Sequence, residues 1–362
     1  MKETKTILVT GASGFIGSFI VEHGLEQGME VWAAVRKSSS RRYLQDKRIR
    51  FIELDLSNPE RLSQQLENHK SQHGAWNYVV HAAGITKSRR ESDFKRINTE
   101  GTRMLVETLR SLDMVSERFV YMSSLSVFGP IKEKACPPSE NQDAIPEKSQ
   151  CGKKKTVCRY ESILEADTPQ PNTAYGRSKL EAENYLRQIQ GFPVVILRPT
   201  GVYGPRERDY FLMVKSIKQH IDFAVGYKPQ RITFVYVKDL VQAVYLALER
   251  GKAGRCYFVS DGNNYSSRAF SDLIQERLGI RNVLHITAPL WILKMLCFVL
   301  GRMAKMLGRT STLNEDKYNI MKQRNWQCDI TPLREELGYS PKYDLRRGVD
   351  EAITWYKKEQ WI

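Results

Sequence analysis

The segment from Thr6 to Gly17, Thr-Ile-Leu-Val-Thr-Gly-Ala-Ser-Gly-Phe-Ile-Gly, constrains the fold of this chain more than any other segment. A β-branched and aliphatic run ends in a turn that carries Gly11, Gly14 and Gly17, and an apolar helical segment follows at once. Gly11 can bend without a steric penalty, Gly14 lets a phosphate approach the backbone, and Gly17 lets the helix pack on the strand. The order predicts a strand, a turn and a helix whose N-terminal amides face a dinucleotide pyrophosphate, in preference to a turn without a ligand.

The first half of the chain alternates apolar strands with helices. Strands are predicted at 6–10, 30–35, 49–54, 78–81, 118–122 and 194–198, and helices from the glycine turn to near 27, from 59, over 98–112 and from near 173 to 190. This alternation predicts an α/β fold, a Rossmann-type doubly wound parallel sheet with helices on both faces.

Shifts in composition divide the chain. Residues 130–172 are rich in Lys, Pro, Ser, Glu and Asn, which predicts a long surface excursion. Strand–helix alternation is also absent from 200–235 and from most of the C-terminal part. We expect an NAD(P)-binding domain over 1–261, with the excursion and a substrate-lobe segment at 200–235 inserted in it. The remaining residues, 262–362, are expected to form mainly the substrate-binding lobe.

The net charge and the cysteine positions limit the classes of partner and ligand that this chain is expected to bind. The formal net charge of +15 is compatible with an anionic substrate, nucleic acid or an anionic membrane surface. No helix-turn-helix or zinc-finger pattern is present, so we expect no nucleic-acid partner. Residues 1–5 are polar and no apolar run precedes the first strand, which predicts a cytoplasmic protein. The six cysteines lack a metal-ligand spacing, so we expect reduced thiols and no metal site.

Three of the cysteines, Cys136, Cys151 and Cys158, lie in the excursion beside the run Lys153-Lys154-Lys155. A metal clip or a redox switch is one interpretation of this segment. An exposed lid is the interpretation that we favour.

Two further signals carry chemistry. Tyr175-Gly-Arg-Ser-Lys179 opens a predicted helix, and the spacing of four residues places both side chains on one face. An ammonium near a phenol stabilises the phenolate and lowers its pKa, so this tyrosine can exchange a proton with a ketone or an alcohol. The second signal is Ser124, which follows a predicted strand where open α/β sheets bind ligands. A solvated helix face and an ordinary turn hydroxyl are the alternatives.

The chain resembles the extended short-chain dehydrogenase/reductases, the NAD-dependent epimerase/dehydratase superfamily. The resemblance runs over nearly the whole chain and rests on these motifs: Thr10-Gly11-x-x-Gly14-x-x-Gly17, Asp55-Leu56, His81-Ala82-Ala83-Gly84, Asn98-x-x-Gly101-Thr102, the segment around Ser124, Tyr175-x-x-x-Lys179, and Leu197-Arg198-Pro199 through Tyr203-Gly204-Pro205.

The resemblance implies a catalytic set and a cofactor site. Ser124 and Tyr175 would hold the substrate oxygen, and Lys179 would also contact the nicotinamide ribose. Asp55 and Leu56 would flank adenine. The expected cofactor-binding positions are Gly11, Ser13, Gly14, Phe15, Ile16, Gly17, Arg36, Asp55, Leu56, Ala82, Ala83, Gly84, Asn98, Tyr175, Lys179, Pro199 and Val202.

The end of the second strand bears on the cofactor. NAD-binding proteins usually carry an acidic residue there for the ribose 2′-hydroxyl, whereas this chain has Val35-Arg36-Lys37-Ser38. A guanidinium with nearby hydroxyls suits a 2′-phosphate. We therefore expect NADP(H), with NAD(H) and a merely solvated basic turn as the alternatives.

Departures from the family pattern bear on the substrate. Leu125-Ser126 stands where sugar-nucleotide dehydratases have an Asp-Glu pair, and Thr200-Gly201 stands where epimerases usually have Asn. Thr200-Gly201 and the run from Asn325 to Pro332 resemble the 3β-hydroxysteroid dehydrogenase and dihydroflavonol reductase branches. We expect an oxidoreductase acting on a hydrophobic, lipid-like ketone or alcohol, such as a 3-keto sphingoid base or a steroid. A sugar-nucleotide epimerase or 4-ketoreductase and a non-catalytic NADP-binding regulator are the alternatives.

Residues 289–309 form an almost entirely apolar segment with one cationic stripe. On a helical wheel, Lys294, Arg302, Lys305 and Arg309 fall within an arc of about 80°. The segment is too short and too charged to span a bilayer comfortably, but it suits a helix that lies in an anionic membrane interface. We expect peripheral attachment at the inner face of a membrane, with a core helix or a homodimer interface as the alternative.

Overall fold

The computed structural model describes residues 4–134, 160–306 and 314–362. The three cysteines of the excursion and its lysine run lie outside the described residues. The strands within the described residues are β1 (Thr6–Thr10), β2 (Glu30–Val35), β3 (Arg50–Glu53), β4 (Trp76–His81), β5 (Val115–Met122), β6 (Val194–Pro199), β7 (Gly201–Tyr203), β8 (Ile221–Val225), β9 (Arg231–Ile232), β10 (Phe234–Tyr236), β11 (Cys256–Val259), β12 (Tyr265–Ser266) and β13 (Leu284–Ala288).

The α-helices of the same residues are α1 (Phe15–Glu26), α2 (Pro59–His73), α3 (Glu91–Phe94), α4 (Gly101–Ser111), α5 (Ala174–Gln188), α6 (Asp209–Lys218), α7 (Val237–Arg250), α8 (Ala269–Leu278), α9 (Leu290–Met306), α10 (Glu315–Lys322), α11 (Thr331–Leu337) and α12 (Leu345–Lys358). A π-helical turn, Lys95–Glu100, joins α3 to α4. None of these helices is both long enough and apolar enough to cross a membrane.

Seven parallel strands form the main sheet in the order β11-β6-β5-β4-β1-β2-β3. The chain builds outward from β1 to β3 and then returns to the other side of β1 with β4. This reversal opens a crevice at the carboxyl ends of β1 and β4, which is where such sheets bind ligands. The predicted Rossmann-type fold is confirmed.

Alternating side chains of β1 supply both faces of this sheet. Ile7 and Val9 join one buried cluster, which includes residues of α1 and α7, whereas Leu8 joins a second cluster with α2, α4 and α5. All three side chains are fully buried, because helices cover the sheet on both sides. An unbroken apolar run is what such a strand needs.

A third buried cluster lies outside the main sheet and is rich in aromatic rings. Tyr203 packs edge to face against Phe234 and Phe270 at centroid distances of 6.0 and 5.3 Å, and α12 closes the cluster with Val349 and Tyr356. The contributing residues come from 200–237 and from the C-terminal part beyond 261. The domain boundary at residue 261 stays a prediction.

The predicted helix over 98–112 is wrong in one detail. The chain passes from α3 through the π-helical turn into α4, so the helical region begins at residue 91 and one turn is widened. The wide turn contains Asn98, whose side chain is fully buried. Its polar contacts, described below, compensate for the irregular backbone hydrogen bonding.

Candidate active site

The glycine turn between β1 and α1 is tightly packed at two of its three glycines. Gly11 has a φ of +69°, and a Cβ there would lie 2.7 Å from the backbone of Ala82 and Ala83. A Cβ at Gly17 would lie 2.1 Å from the carbonyl oxygen of Gly11. Side chains are therefore excluded at both positions. Gly14 is exposed, and its predicted contact with a phosphate stays a prediction.

A directed chain of hydrogen bonds crosses the crevice beneath this turn. The Ala83 N–H donates to Thr10 Oγ1 at 3.3 Å, and the Thr10 hydroxyl donates to His81 Nδ1 at 2.7 Å. His81 Nε2–H donates to Thr102 Oγ1 at 2.9 Å, and that hydroxyl donates to the Asn98 carbonyl at 2.6 Å. Each hydroxyl accepts one bond and donates one, so the chain assigns the neutral Nε2–H tautomer to His81.

Burial keeps that histidine neutral. Desolvation, with a smaller contribution from the neighbouring Lys179 ammonium, lowers the pKa of His81 to about 3. The ring stacks against Tyr121 at a centroid distance of 5.8 Å. His81 is therefore a fixed support of the crevice rather than an acid or a base at neutral pH.

The predicted catalytic residues meet at the carboxyl end of β5. Burial raises the pKa of the Tyr175 phenol, and a hydrogen bond with Ser124 lowers it in part. The Ser124 hydroxyl oxygen accepts a hydrogen bond from the Ser126 N–H at 3.2 Å, which holds it at the start of a short 3₁₀ turn. The structure thus brings Ser124 and Tyr175 together, as the family resemblance implied.

Lys179 lies behind this pair and is almost completely buried. Its Nζ donates to the Met122 carbonyl oxygen at 2.7 Å and lies 4.7 Å from the centre of the Tyr121 ring. Desolvation lowers the pKa of Lys179 to about 8. The expected lowering of the Tyr175 pKa by this ammonium is wrong for this structure, because burial of the phenol dominates and Nζ donates to a carbonyl. A protonated phenol is the state that donates to a ketone oxygen.

Asn98 connects two parts of the site. Its Oδ1 accepts from the Ile85 N–H at 2.8 Å, and its Nδ2 donates to the Ile85 carbonyl and to Ser178 Oγ, both at 3.0 Å. These bonds tie the loop after β4 to the helix that carries Lys179. A Cβ at Gly84 would lie 2.9 Å from Asn98 Oδ1, so a side chain at this position would displace the Asn98 amide. The expected contact of Asn98 with the cofactor stays a prediction.

An ion pair beneath the catalytic helix was not foreseen from the sequence. Arg198 Nη2 donates to Glu183 Oε2 at 2.5 Å, and both side chains are buried. The hydroxyl of Ser123 donates to the same carboxylate. Glu183 lies four residues after Lys179, so the helical spacing was the available signal. Through these bonds the Glu183 carboxylate ties α5 to Ser123, which precedes Ser124 at the end of β5, and to Arg198 in β6.

The predicted adenosine end shows two different environments. Arg36 is exposed, and its guanidinium has no polar partner among the described residues, whereas Arg41 stacks on Phe51 at 4.2 Å. The Asp55 carboxylate accepts from the N–H and the hydroxyl of Ser57, at 3.0 and 2.6 Å, and these bonds lower its pKa. The Asp55 carboxylate therefore stabilises the turn in which Asp55 itself lies.

The chain leaves the main sheet at Thr200. Pro199 pairs with Val259 in the main sheet, and Val202 pairs with Val235 in the two-stranded sheet of β7 and β10. Thr200 Oγ1 is buried with no hydrogen-bond partner within the described residues. Such an atom at a predicted ligand site calls for a polar partner.

Gly201 explains one departure from the epimerase pattern. A Cβ at this position would lie 2.4 Å from the hydroxyl oxygen of Tyr210. An asparagine side chain there would require Tyr210 to move. Leu125, which stands in place of a dehydratase acid, is buried.

The described residues show no cluster of three His, Cys, Asp or Glu side chains that could hold a metal ion. The glycine turn offers a cradle closed to side chains, and Thr200 offers an unpartnered hydroxyl. Both fit a dinucleotide with its nicotinamide end near β6.

Comparison with known proteins decides the family. The model of the NAD dependent epimerase/dehydratase family matches residues 7–260. The chain belongs to this family. It is an enzyme of the extended short-chain dehydrogenase/reductase type, a group of NAD(P)-dependent oxidoreductases.

Relatives of this family member have different substrates in their names. UDP-glucose 4-epimerase of Vibrio cholerae is 25% identical over 97% of this chain and 95% of its own length. The decarboxylating sterol-4-alpha-carboxylate 3-dehydrogenase of Dictyostelium discoideum is 22% identical over 96% of this chain and 99% of its own. The structure of dTDP-glucose 4,6-dehydratase from Bacillus anthracis in complex with NAD has a TM-score of 0.72 at 19% identity, and covers 99% of this chain and 98% of that one.

Proposed function

We propose that this enzyme reduces a ketone on a hydrophobic, lipid-like substrate, or oxidises the corresponding alcohol. The observation that carries the proposal is the adjacency of Ser124 and a protonated Tyr175, both half-buried, beside the buried Lys179 at the crevice. A 3-keto sphingoid base and a 3-keto steroid are substrates of the chemical class that we have in mind.

The nicotinamide ring, when bound, would supply a hydride to the carbonyl carbon of the ketone or accept one from the carbinol carbon of the alcohol. In reduction, the Tyr175 hydroxyl gives its proton to the carbonyl oxygen, and the Ser124 hydroxyl hydrogen-bonds the same oxygen. Lys179 donates to the Met122 carbonyl at the end of β5, and we expect it to contact the nicotinamide ribose as well. Ser124 is held by the Ser126 N–H, so it reaches the substrate from a fixed position.

The residues around the candidate active site favour a lipid-like ketone over a nucleotide sugar as the substrate. Leu125 and Ser126 supply no carboxyl acid beside Ser124, so elimination of water lacks a general acid there. The Tyr210 hydroxyl fills the space that a side chain would need at position 201, where epimerases usually have asparagine. Sugar-nucleotide epimerisation or 4-ketoreduction is the second candidate, because an epimerase is among the relatives.

We further propose NADP(H) as the preferred cofactor. Arg36 is exposed, lacks a polar partner among the described residues, and follows β2 directly. It is therefore available to a ribose 2′-phosphate. NAD(H) remains the alternative, since the Bacillus anthracis structure holds NAD.

We also propose that the enzyme is cytoplasmic and that residues 289–309 attach it to the anionic inner face of a membrane. Helix α9 buries Leu293 and Cys297, whereas Trp291, Phe298 and Met303 are 67%, 59% and 51% exposed. This wide apolar exposure is unlike a core helix of the same chain. Lys294 and Arg302 are exposed beside it. The Lys305 side chain and Arg309 lie outside what the structure describes, and a homodimer interface is the competing occupant.

The decisive experiment measures turnover of the purified enzyme with NADPH or NADH against a panel of 3-keto lipids, steroids and nucleotide sugars. We expect NADPH consumption with lipid-like ketones and none in the Tyr175→Phe variant. Interconversion of nucleotide sugars without net cofactor consumption would establish the epimerase instead. Tight NADPH binding without turnover of any of these substrates would support the non-catalytic NADP-binding regulator.

A further inference from the structure

Strands β8 and β13 form a parallel ribbon outside the main sheet, with its apolar face toward solvent. The register pairs Ile221 with Leu284 and Phe223 with Ile286. Phe223 and Leu284 are 60% and 64% exposed, and Ile286 is 37% exposed. Because residues i and i+2 share a face of a strand, these side chains lie on one side of the ribbon.

The opposite face of the ribbon is polar, and its β8 part is packed against the rest of the protein. Asp222 is 4% exposed and accepts a hydrogen bond from Ser271 Oγ at 3.2 Å. His285 Nδ1 lies 3.1 Å from the same carboxylate, and Arg268 Nη2 lies 3.5 Å from it. A half-buried strand normally turns its apolar face inward. The reversed arrangement here leaves a large apolar face that needs a partner.

The chain passes from this ribbon almost directly into α9. Pro289 alone separates β13 from α9. Tyr227, which is 75% exposed, follows β8 and donates its hydroxyl to the Thr287 carbonyl at 3.3 Å. We call this set of exposed side chains the apolar platform: Phe223, Tyr227, Leu284, Ile286, Trp291, Met295, Phe298 and Met303.

The segments that build the platform are cationic and lack exposed carboxylates. Between Asp209 and Asp239 the sequence has a single acidic residue, the buried Asp222, and between Glu276 and Glu315 it has none. Exposed cations of these segments with no ion pair among the described residues are Lys215, Lys218, Lys228, Arg281, Lys294 and Arg302. A two-fold contact between two copies would place these like charges opposite one another.

We propose that the ribbon is a second lipid-contacting element, which together with α9 docks the enzyme on an anionic bilayer and sets its orientation. The proposal rests on the membrane attachment proposed above. Aromatic and aliphatic side chains would enter the interface while the flanking cations face lipid phosphates. Attachment through two connected elements restricts rotation about a single helix axis.

The test is co-sedimentation of the full chain with vesicles of phosphatidylcholine, with and without phosphatidylglycerol, at low and high salt. We expect wild-type binding to require phosphatidylglycerol and to weaken as salt rises. The double variant Phe223→Thr/Ile286→Thr should lose about tenfold in binding through lost apolar contact, with thermal unfolding unchanged. Leu164→Thr, at an exposed apolar position outside the platform, is the matched control and should bind as the wild type does.

The remaining outcomes separate the proposals. Unchanged vesicle binding of the double variant, together with loss in Phe298→Ser/Met303→Ser, would overturn the role of the ribbon and leave α9 as the membrane element. No vesicle binding by the wild type would overturn both. A concentration-dependent dimer that the double variant dissociates would assign the platform to a second copy. Reduction of a water-soluble ketone should be equal in all variants, so failure of the proposed chemistry is detected separately.

Discussion

Both carboxylate oxygens of Asp316 in α10 lie 3.1 Å from the backbone nitrogen of Ala174, the first residue of α5. The same helix is capped by Thr173 Oγ1, which accepts from the Gly176 N–H at 2.9 Å. Asn319 Nδ2 also donates to the Asn172 carbonyl at 3.0 Å. Helix α10 therefore fixes the N-terminal end of α5, the helix that carries Tyr175. Placement of the phenol depends on a contact with the C-terminal part of the chain.

Removal of the Asp316 cap should impair turnover. In Asp316→Ala the first turn of α5 loses an acceptor, which costs about 0.5–2 kcal/mol in free energy of unfolding. The displaced phenol should lower kcat about ten- to hundredfold, with dinucleotide affinity retained. Asp316→Asn keeps an acceptor oxygen and should recover much of kcat. Glu315→Ala, at the exposed neighbour, is the control, and equal kcat values in all three variants would contradict a positioning role.

Tyr175→Phe should abolish ketone reduction while NADPH affinity stays nearly constant. Only the hydroxyl that donates the proton is removed, and loss of such a donor costs roughly 10²–10⁴ in rate. Steady-state kinetics and a binding titration check the two parts. Tyr185→Phe, on the same helix but distant from Ser124, should behave as the wild type. Wild-type turnover in Tyr175→Phe would reject the proposed chemistry.

Local patterns were readable from the sequence, and distant contacts were not. β1, β2 and β6 were predicted to within one residue because apolar runs between turn residues mark buried parallel strands. The placement of Tyr175 and Lys179 on one helix was predictable because helical spacing is local.

The unpredicted features depend on residues far apart in the sequence. Arg198 and Glu183 pair across 15 positions, and Asp316 caps a residue 142 positions earlier. The β8–β13 ribbon joins strands whose paired residues, Ile221 and Leu284, are separated by two helices, α7 and α8, and four strands. Amphipathic periodicity indicates which face of an element is apolar, but it does not indicate which other element covers that face.

Arg36→Asp should change the choice of cofactor. The variant should lose about 1.5–3 kcal/mol of NADPH affinity, as expected for a charged hydrogen bond to the 2′-phosphate, and little NADH affinity. Equilibrium titration with both cofactors measures the difference. Lys47→Asp, at an exposed cation of the same loop, is the charge control. Equal losses in the two variants, or equal affinity of the wild type for NADPH and NADH, would show that Arg36 does not contact the 2′-phosphate.

The buried ammonium of Lys179 should make stability depend on pH in a defined direction. Burial lowers its pKa from 10.5 to about 8, so between these values the unfolded chain holds a proton that the folded chain has released. The free energy of unfolding therefore rises with pH across this window, by roughly 3 kcal/mol at most. Lys179→Met lacks this contribution, so the stability of the wild type relative to the variant should increase from pH 8 to pH 10. Urea unfolding of both proteins across that range measures it. Lys238→Met is the control, because the pKa of Lys238 is raised and its removal should produce no such increase. A constant stability difference between wild type and Lys179→Met would mean that Lys179 titrates as it does in the unfolded chain.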